Sequence, residues 1–201
     1  MKTRIISFYS DFDDQKYYEN KAVLLKQKCE LFNVPHDIVN LPSKGSYMLN
    51  CLQKPNFIKT MMEKYKEPLL WMDCDTDFKE PFDAFDNVTE DIGFTTHTGT
   101  LEGIKASPVY FNYGDNFNLI INAWIHQCDI GLKENNYELD HDALKHSVLP
   151  KIYNNISVYM IKENYNDYCN GRFINNGNSI VNGKREVHSA MGRINRGRPA
   201  L

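Results

Sequence analysis

Asp73 and Asp75 flank Cys74 directly after the segment Pro68-Leu69-Leu70-Trp71-Met72. In an extended chain, side chains two residues apart project to the same side, so the two carboxylates converge. Converging carboxylates repel unless positive charge sits between them, and a divalent cation is the usual solution. Acids in a loop equally well cap the next turn, and for a bare Asp-x-Asp that is the better account. The apolar run in front puts the two accounts on an equal footing. Bounded by charge, it is what a strand buried on both faces of a parallel sheet requires. Open α/β sheets bind their ligands at the carboxyl ends of such strands.

Spacing tests the metal-site alternatives. A calcium loop of the EF-hand type starting at Asp73 needs Gly at its sixth position and Glu at its twelfth. The chain supplies Phe78 and Ala84, which excludes it. A phosphohydrolase of the haloacid dehalogenase type, with Asp73 as nucleophile, expects Thr where Asp77 stands, and Thr76 comes one place early. It stays as an alternative of another class. Further candidates are Tyr9-Ser10-Asp11 at the end of the first apolar segment, Lys54, Asp140-His141-Asp142, His188 and Arg193. Each has an ordinary reading: Tyr9 as a core aromatic, Lys54 and Arg193 as solvated cations, Asp140 as a helix N-cap, His188 as a surface histidine.

The elements that must position these residues read as alternating strands and helices. Ile5, Ile6 and Phe8 mark a strand, His36–Leu41 a second, Leu69–Met72 a third; others fall at Ile92–Thr95, Val109–Phe111 and Ile156–Ile161. Tyr18, Ala22, Leu25, Cys29 and Phe32 share a helical face, as do Ile58, Met61, Met62 and Tyr65 behind Pro55. Phe117, Ile121, Trp124, Ile125 and Cys128 form another face, and Leu139–Val148 a shorter helix. The alternation predicts an α/β fold with a mixed or parallel sheet flanked by helices. With 201 residues and 42% apolar content, one domain spanning 1–201 is expected. A basic segment, 184–201, carries Lys184, Arg185, Arg193, Arg196 and Arg198 against Glu186.

Charge and cysteine usage bound the function classes. A net charge of −3 excludes a generally basic nucleic-acid coat. No apolar run reaches the roughly 20 residues of a membrane helix, and the opening turns acidic where a signal peptide is most apolar. Five cysteines without a CxxC pair argue against a disulfide framework or Cys-rich zinc site. The expected compartment is a reducing cytoplasm.

Taken together, Trp71-Met72-Asp73-Cys74-Asp75 resembles the strand-then-DxD motif of GT-A-fold glycosyltransferases. Three further segments are similar to the glycogenin and lipopolysaccharide-galactosyltransferase type and to nucleotide-diphospho-sugar transferases. These are Lys54, 19 positions before Asp73, Asp140-His141-Asp142-Ala143-Leu144, and His188-Ser189-Ala190-Met191-Gly192-Arg193. The resemblance implies a single GT-A (Rossmann-like) domain whose mixed, mostly parallel sheet is flanked by helices, with 184–201 closing on the active site. It implies a nucleotide-sugar donor, UDP-linked, and a manganese or magnesium ion held by Asp73, Asp75 and His188. Imidazole favours manganese. Tyr9, Ser10 and Asp11 would hold the nucleoside, while Lys54 and Arg193 would meet the diphosphate. Asp140, His141 and Asp142 would form the catalytic set at the sugar, with retention of configuration. Two departures bear on specificity. His141 stands where the family often has Gln, and only Ala106-Ser107-Pro108-Val109 represents the family's Asn-Ala-Gly-Val segment.

The expected acceptor is a hydroxyl of a glycan or lipid-linked sugar. The basic segment and a composition rich in Asn, Lys, Ile and Tyr also fit a phage enzyme acting on hydroxymethylated DNA bases, in a host cytoplasm, which would need a base extruded from the stack. That is the less favoured reading. A non-catalytic module binding cations or carbohydrate in the acidic crevice is the remaining alternative.

Overall fold

A computed structural model describes residues 2–11, 16–78, 83–96, 98–134 and 140–162, with the short stretches 175–176, 180–181 and 184–185. Its centre is a six-stranded sheet made of β1 (Arg4–Tyr9), β2 (His36–Asn40), β3 (Leu69–Trp71), β5 (Ile92–Thr96), β6 (Ile104–Phe111) and β7 (Val158–Lys162), β4 (Thr76–Asp77) lying outside it. The order across the sheet is β2-β1-β3-β6-β5-β7. β1 is parallel to β2 and β3, and β5 to β7, whereas β6 runs antiparallel to both its neighbours.

Alternation along the strands sends buried side chains to both faces. Ile6, Phe8, Leu69, Trp71, Val109 and Phe111 enter one core; Ile5, Leu70, Met72 and Tyr110 enter the other. The first core is covered by α3 (Lys54–Tyr65) and α4 (Phe117–Glu134), and by a helical run of α5 (Asp140–Asp142), a π-type turn (Ala143–Val148) and α6 (Leu149–Ile152). The second is covered by α1 (Tyr17–Leu31), through Leu25 and Cys29, with Phe78 and Phe85.

The helix starts are set by polar side chains. Asp11 accepts from the Tyr18 and Glu19 backbone N–H groups, both at 2.8 Å, so a residue at the end of β1 caps α1 across the intervening loop. A short α2 (Tyr47–Cys51) begins with Ser46, whose hydroxyl accepts from the Leu49 N–H at 3.3 Å. Pro55 occupies the first turn of α3, where its missing N–H costs nothing.

Two elements depart from the sequence expectation. β6 starts at Ile104 rather than near Val109, because Lys105 and Pro108 interrupt the apolar pattern in a strand that the sheet nevertheless pairs. α2 was not expected; its apolar positions are too few to show a period. Beyond the main sheet, β4 pairs antiparallel with β8 (Asn175–Asn176), and β9 (Ile180–Val181) with β10 (Lys184–Arg185). Among the described residues no helix is long and apolar enough to cross a membrane.

Candidate active site

β1 and β3 are parallel neighbours, so both end at the same edge of the sheet. Tyr9-Ser10-Asp11 leaves one and Asp73-Cys74-Asp75 the other. Their approach is recorded by Cys74, whose buried thiol is pushed well above its usual pKa by desolvation and then by the charges of Asp75, Asp73 and Asp11. Such a thiol is inert; it serves as a marker of three carboxylates gathered at one rim.

Behind that rim lies a buried ion cluster. Lys54 opens α3 and is only 5% exposed. Its Nζ is 2.5 Å from Asp140 Oδ2 and 3.2 Å from Asp73 Oδ1, and it sits 5.0 Å from the Trp71 ring centroid. Burial alone would strip the lysine of its proton, but Asp140 and Asp73 outweigh that and drive its pKa upward. Asp140 responds the other way for a carboxylate: burial raises its pKa, and Lys54, which it shares with Asp73, only partly offsets this. The close contact with Nζ is that of an ion pair.

Each member is oriented by its surroundings. The Trp71 indole N–H donates to Asp73 Oδ1 at 3.0 Å, the i to i+2 contact of an extended strand end. The Asp73 backbone N–H donates to Ser107 Oγ at 2.9 Å. The Trp124 indole N–H donates to the Asp140 carbonyl at 2.7 Å, which locates the start of α5 against α4. Asp73 keeps 30% of its side chain exposed and Asp75 is half-buried, so both rim carboxylates are partly open to solvent above a sealed base.

The other expected residues fall as follows. Half-buried Tyr9 ends β1, where its carbonyl accepts from the Leu41 N–H at 3.0 Å. Buried Ser10 donates its hydroxyl to the Leu41 carbonyl at 2.8 Å. Asp11 uses both oxygens on α1, so any nucleoside contact would share them. Lys54 is spent on two carboxylates, and any diphosphate contact would come on top of these. His141 and Asp142 are half-buried beside Asp140. Burial, then the Lys54 charge, lowers the His141 pKa to about 4, leaving a neutral imidazole near neutrality. His188, Arg193, Arg196 and Arg198 lie outside the described residues. The expectation that 184–201 closes on the site therefore rests on the sequence alone; the β9–β10 pairing joins residues 180–181 to 184–185 and does not bear on it.

One contributor escaped sequence reasoning. Asn50, 5% exposed, donates from Nδ2 to the Ser10 carbonyl at 3.1 Å and accepts at Oδ1 from the Lys44 N–H at 2.7 Å. It ties together the loops after β1 and β2. Its only sequence signal is a polar residue beside the buried positions of a short helix.

Two adjacent carboxylates are hard oxygen donors of the kind magnesium and manganese take. The residues therefore fit such an ion, as a partial set: among the described residues no group of three His, Cys, Asp or Glu is arranged to hold a metal.

No protein-family model and no curated protein matches the sequence. Among solved structures, the chain is similar to a glycosyltransferase involved in the glycosylation of the major capsid of PBCV-1. The TM-score is 0.62 at 14% identity, covering 88% of this chain and 93% of that one. It is also similar to the glycosyltransferase GlyE of Streptococcus pneumoniae, with TM-score 0.48 and 13% identity, over 82% of this chain and 47% of that one. At such identities the likeness to the first is one of fold. The architecture is the mixed, mostly parallel, helix-flanked sheet of the GT-A (Rossmann-like) kind.

Proposed function

We propose that this protein is a metal-dependent glycosyltransferase that moves a sugar from a UDP-linked donor to a hydroxyl acceptor of a glycan or lipid-linked sugar, with retention of configuration. The observation that carries the reading is the ion cluster at the strand-end Asp73-Cys74-Asp75: partly exposed carboxylates at the rim, backed by a buried lysine that also holds Asp140. The fold shared with a solved glycosyltransferase supports it.

In this reading Asp75 and Asp73 hold a manganese or magnesium ion together with His188. When bound, the ion offsets the charge that builds on the departing diphosphate. His188 is included on the motif His188-Ser189-Ala190-Met191-Gly192-Arg193 alone. Tyr9 stacks on the base, with Ser10 and Asp11 at the nucleoside; Arg193 meets the diphosphate as a bidentate donor. Lys54 keeps Asp73 and Asp140 in place and lies next to the diphosphate they face.

At the sugar, His141 is a neutral hydrogen-bonding group, since an imidazole with a pKa of about 4 carries no proton to donate as imidazolium near neutrality. Asp140 supports the sugar site from beneath by holding Lys54 and the start of α5, and Asp142 stands beside His141.

The test is calorimetry of UDP binding with and without manganese, paired with donor hydrolysis. Asp75→Asn is expected to lose the manganese-dependent part of binding and all turnover while folding normally. Unchanged nucleotide affinity in that variant would overturn the reading. Product NMR showing inversion would overturn the stereochemical part alone.

A further inference from the structure

Ser107 has no role in the resemblance beyond its place in an altered segment, yet it touches the candidate site at its backbone. It is fully buried on β6. The β3–β6 register ends at the pair Trp71↔Val109, so Ser107 is the position that would face Asp73 had the ladder continued. In place of a ladder bond, the Asp73 N–H donates to the Ser107 hydroxyl at 2.9 Å. The same oxygen is 3.2 Å from Thr76 Oγ1, and the Thr76 hydroxyl is buried with it. The Thr76 N–H in turn donates to the Asp73 carbonyl at 2.9 Å.

We infer that Ser107 is a positioning residue: its hydroxyl closes the Asp73–Thr76 turn from beneath and so sets where the Asp75 carboxylate stands relative to that of Asp73. The inference rests on the proposed function above. A side-chain oxygen at this place lets the strand end and turn without orphaning the Asp73 amide, whose burial would otherwise make it costly. Asp73 is held further by Trp71 and Lys54. Asp75 lies inside the turn, between the two points that Ser107 anchors. Supporting groups behind ligands act in this way, and their removal costs about 10- to 100-fold in metal affinity.

The experiment titrates UDP into the full chain, with and without manganese, at a temperature where every variant is folded. Ser107→Ala is expected to weaken manganese-dependent affinity by about tenfold or more. Thr76→Val, which keeps the volume and removes the second hydroxyl, is expected to weaken it in the same direction by less. Val34 is buried in the second core with Leu25 and Cys29, and Val34→Ala, a cavity there, serves as the control for general loosening; it is expected to lower the thermal midpoint and leave affinity unchanged. Wild-type affinity in Ser107→Ala overturns the inference and leaves the transferase reading standing. Equal weakening in Val34→Ala also overturns it, because the effect is then one of stability. If Ser107→Ala does not fold, Thr76→Val decides by the same criterion. A wild-type chain that binds no UDP with manganese overturns the transferase reading, and this inference with it.

Discussion

The two ends of α3 carry the same pair of partners, a lysine and an aspartate, in opposite physical settings. At the C-terminal end, Lys64 lies 2.7 Å from Asp37 Oδ2, and the Tyr65 hydroxyl donates to the same oxygen at 2.6 Å. The lysine side chain is 54% exposed. Its charge also suits the negative end of the helix dipole. At the N-terminal end, Lys54 stands where that dipole is repulsive, in a site from which water is almost excluded. The surface pair also joins two elements, α3 and β2 across 27 residues, but its lysine keeps its water and would be a stable cation without the aspartate. The buried lysine exists only because two carboxylates, one 19 residues and the other 86 residues away, are brought against it. Stability does not require such an arrangement, since buried ion pairs are often replaceable by apolar residues without loss. An arrangement that folding does not need is best explained by what it holds ready at the rim.

The largest effect should come from breaking the buried end. Lys54→Met leaves Asp140 sealed without its partner, to be neutralised by a proton or held charged at a desolvation cost, and is expected to cost about 3–5 kcal/mol in urea unfolding. Adding Asp140→Leu should recover much of this, because the orphaned charge goes with it. A small loss in the single variant would mean that water reaches Asp140, and the contrast between the ends would fail.

Acid titration sharpens the comparison. The folded His141 pKa, about 4, lies below its ordinary value of 6.5. The unfolded chain therefore takes the proton first, and stability is lost as pH falls from about 6.5 through about 4. His141→Gln should flatten that part of a stability–pH curve. Asp140 works in the opposite sense: its raised pKa means that protonation relieves a burial cost as pH falls. At the other end, burial would raise Asp37, but hydrogen bonds from Lys64 and Tyr65 together hold it below its ordinary 3.8. Its contribution is present above that value and lost below it, so Asp37→Asn should lower stability by a constant amount above about pH 3.8 and flatten the most acidic limb.

The smallest effect belongs to the exposed lysine. Lys64→Ala should shift the urea midpoint only slightly, and added salt should erase the difference from wild type. A large, salt-insensitive loss would show that the surface pair is shielded after all.

The alternation of strands and helices, the covering of both sheet faces and the acids at the end of the third strand were accessible to reading because each rests on local pattern; the strand order was not. The run Leu69–Met72 is apolar at every position and stops at Asp73; the helical faces of α1, α3 and α4 repeat at the helical period. The Trp71–Asp73 contact was also readable, as two side chains on one side of a strand end. Lys54 was not. Its neighbours in sequence describe an ordinary helix start, and nothing local separates a solvated lysine from one that is 5% exposed. Asn50 and Ser107 were equally silent, since both act on backbone groups of other elements.

From its residues alone this chain declares an α/β sheet and the carboxylates placed at the end of a buried strand. Those properties follow from periodicity and from the cost of burying polar groups, both of which act over a few residues. Which lysine loses its water, which aspartate meets it and which hydroxyl closes the turn were decided by tertiary structure. Electrostatic energy depends on distance and dielectric, and neither exists until segments far apart in the chain have packed together.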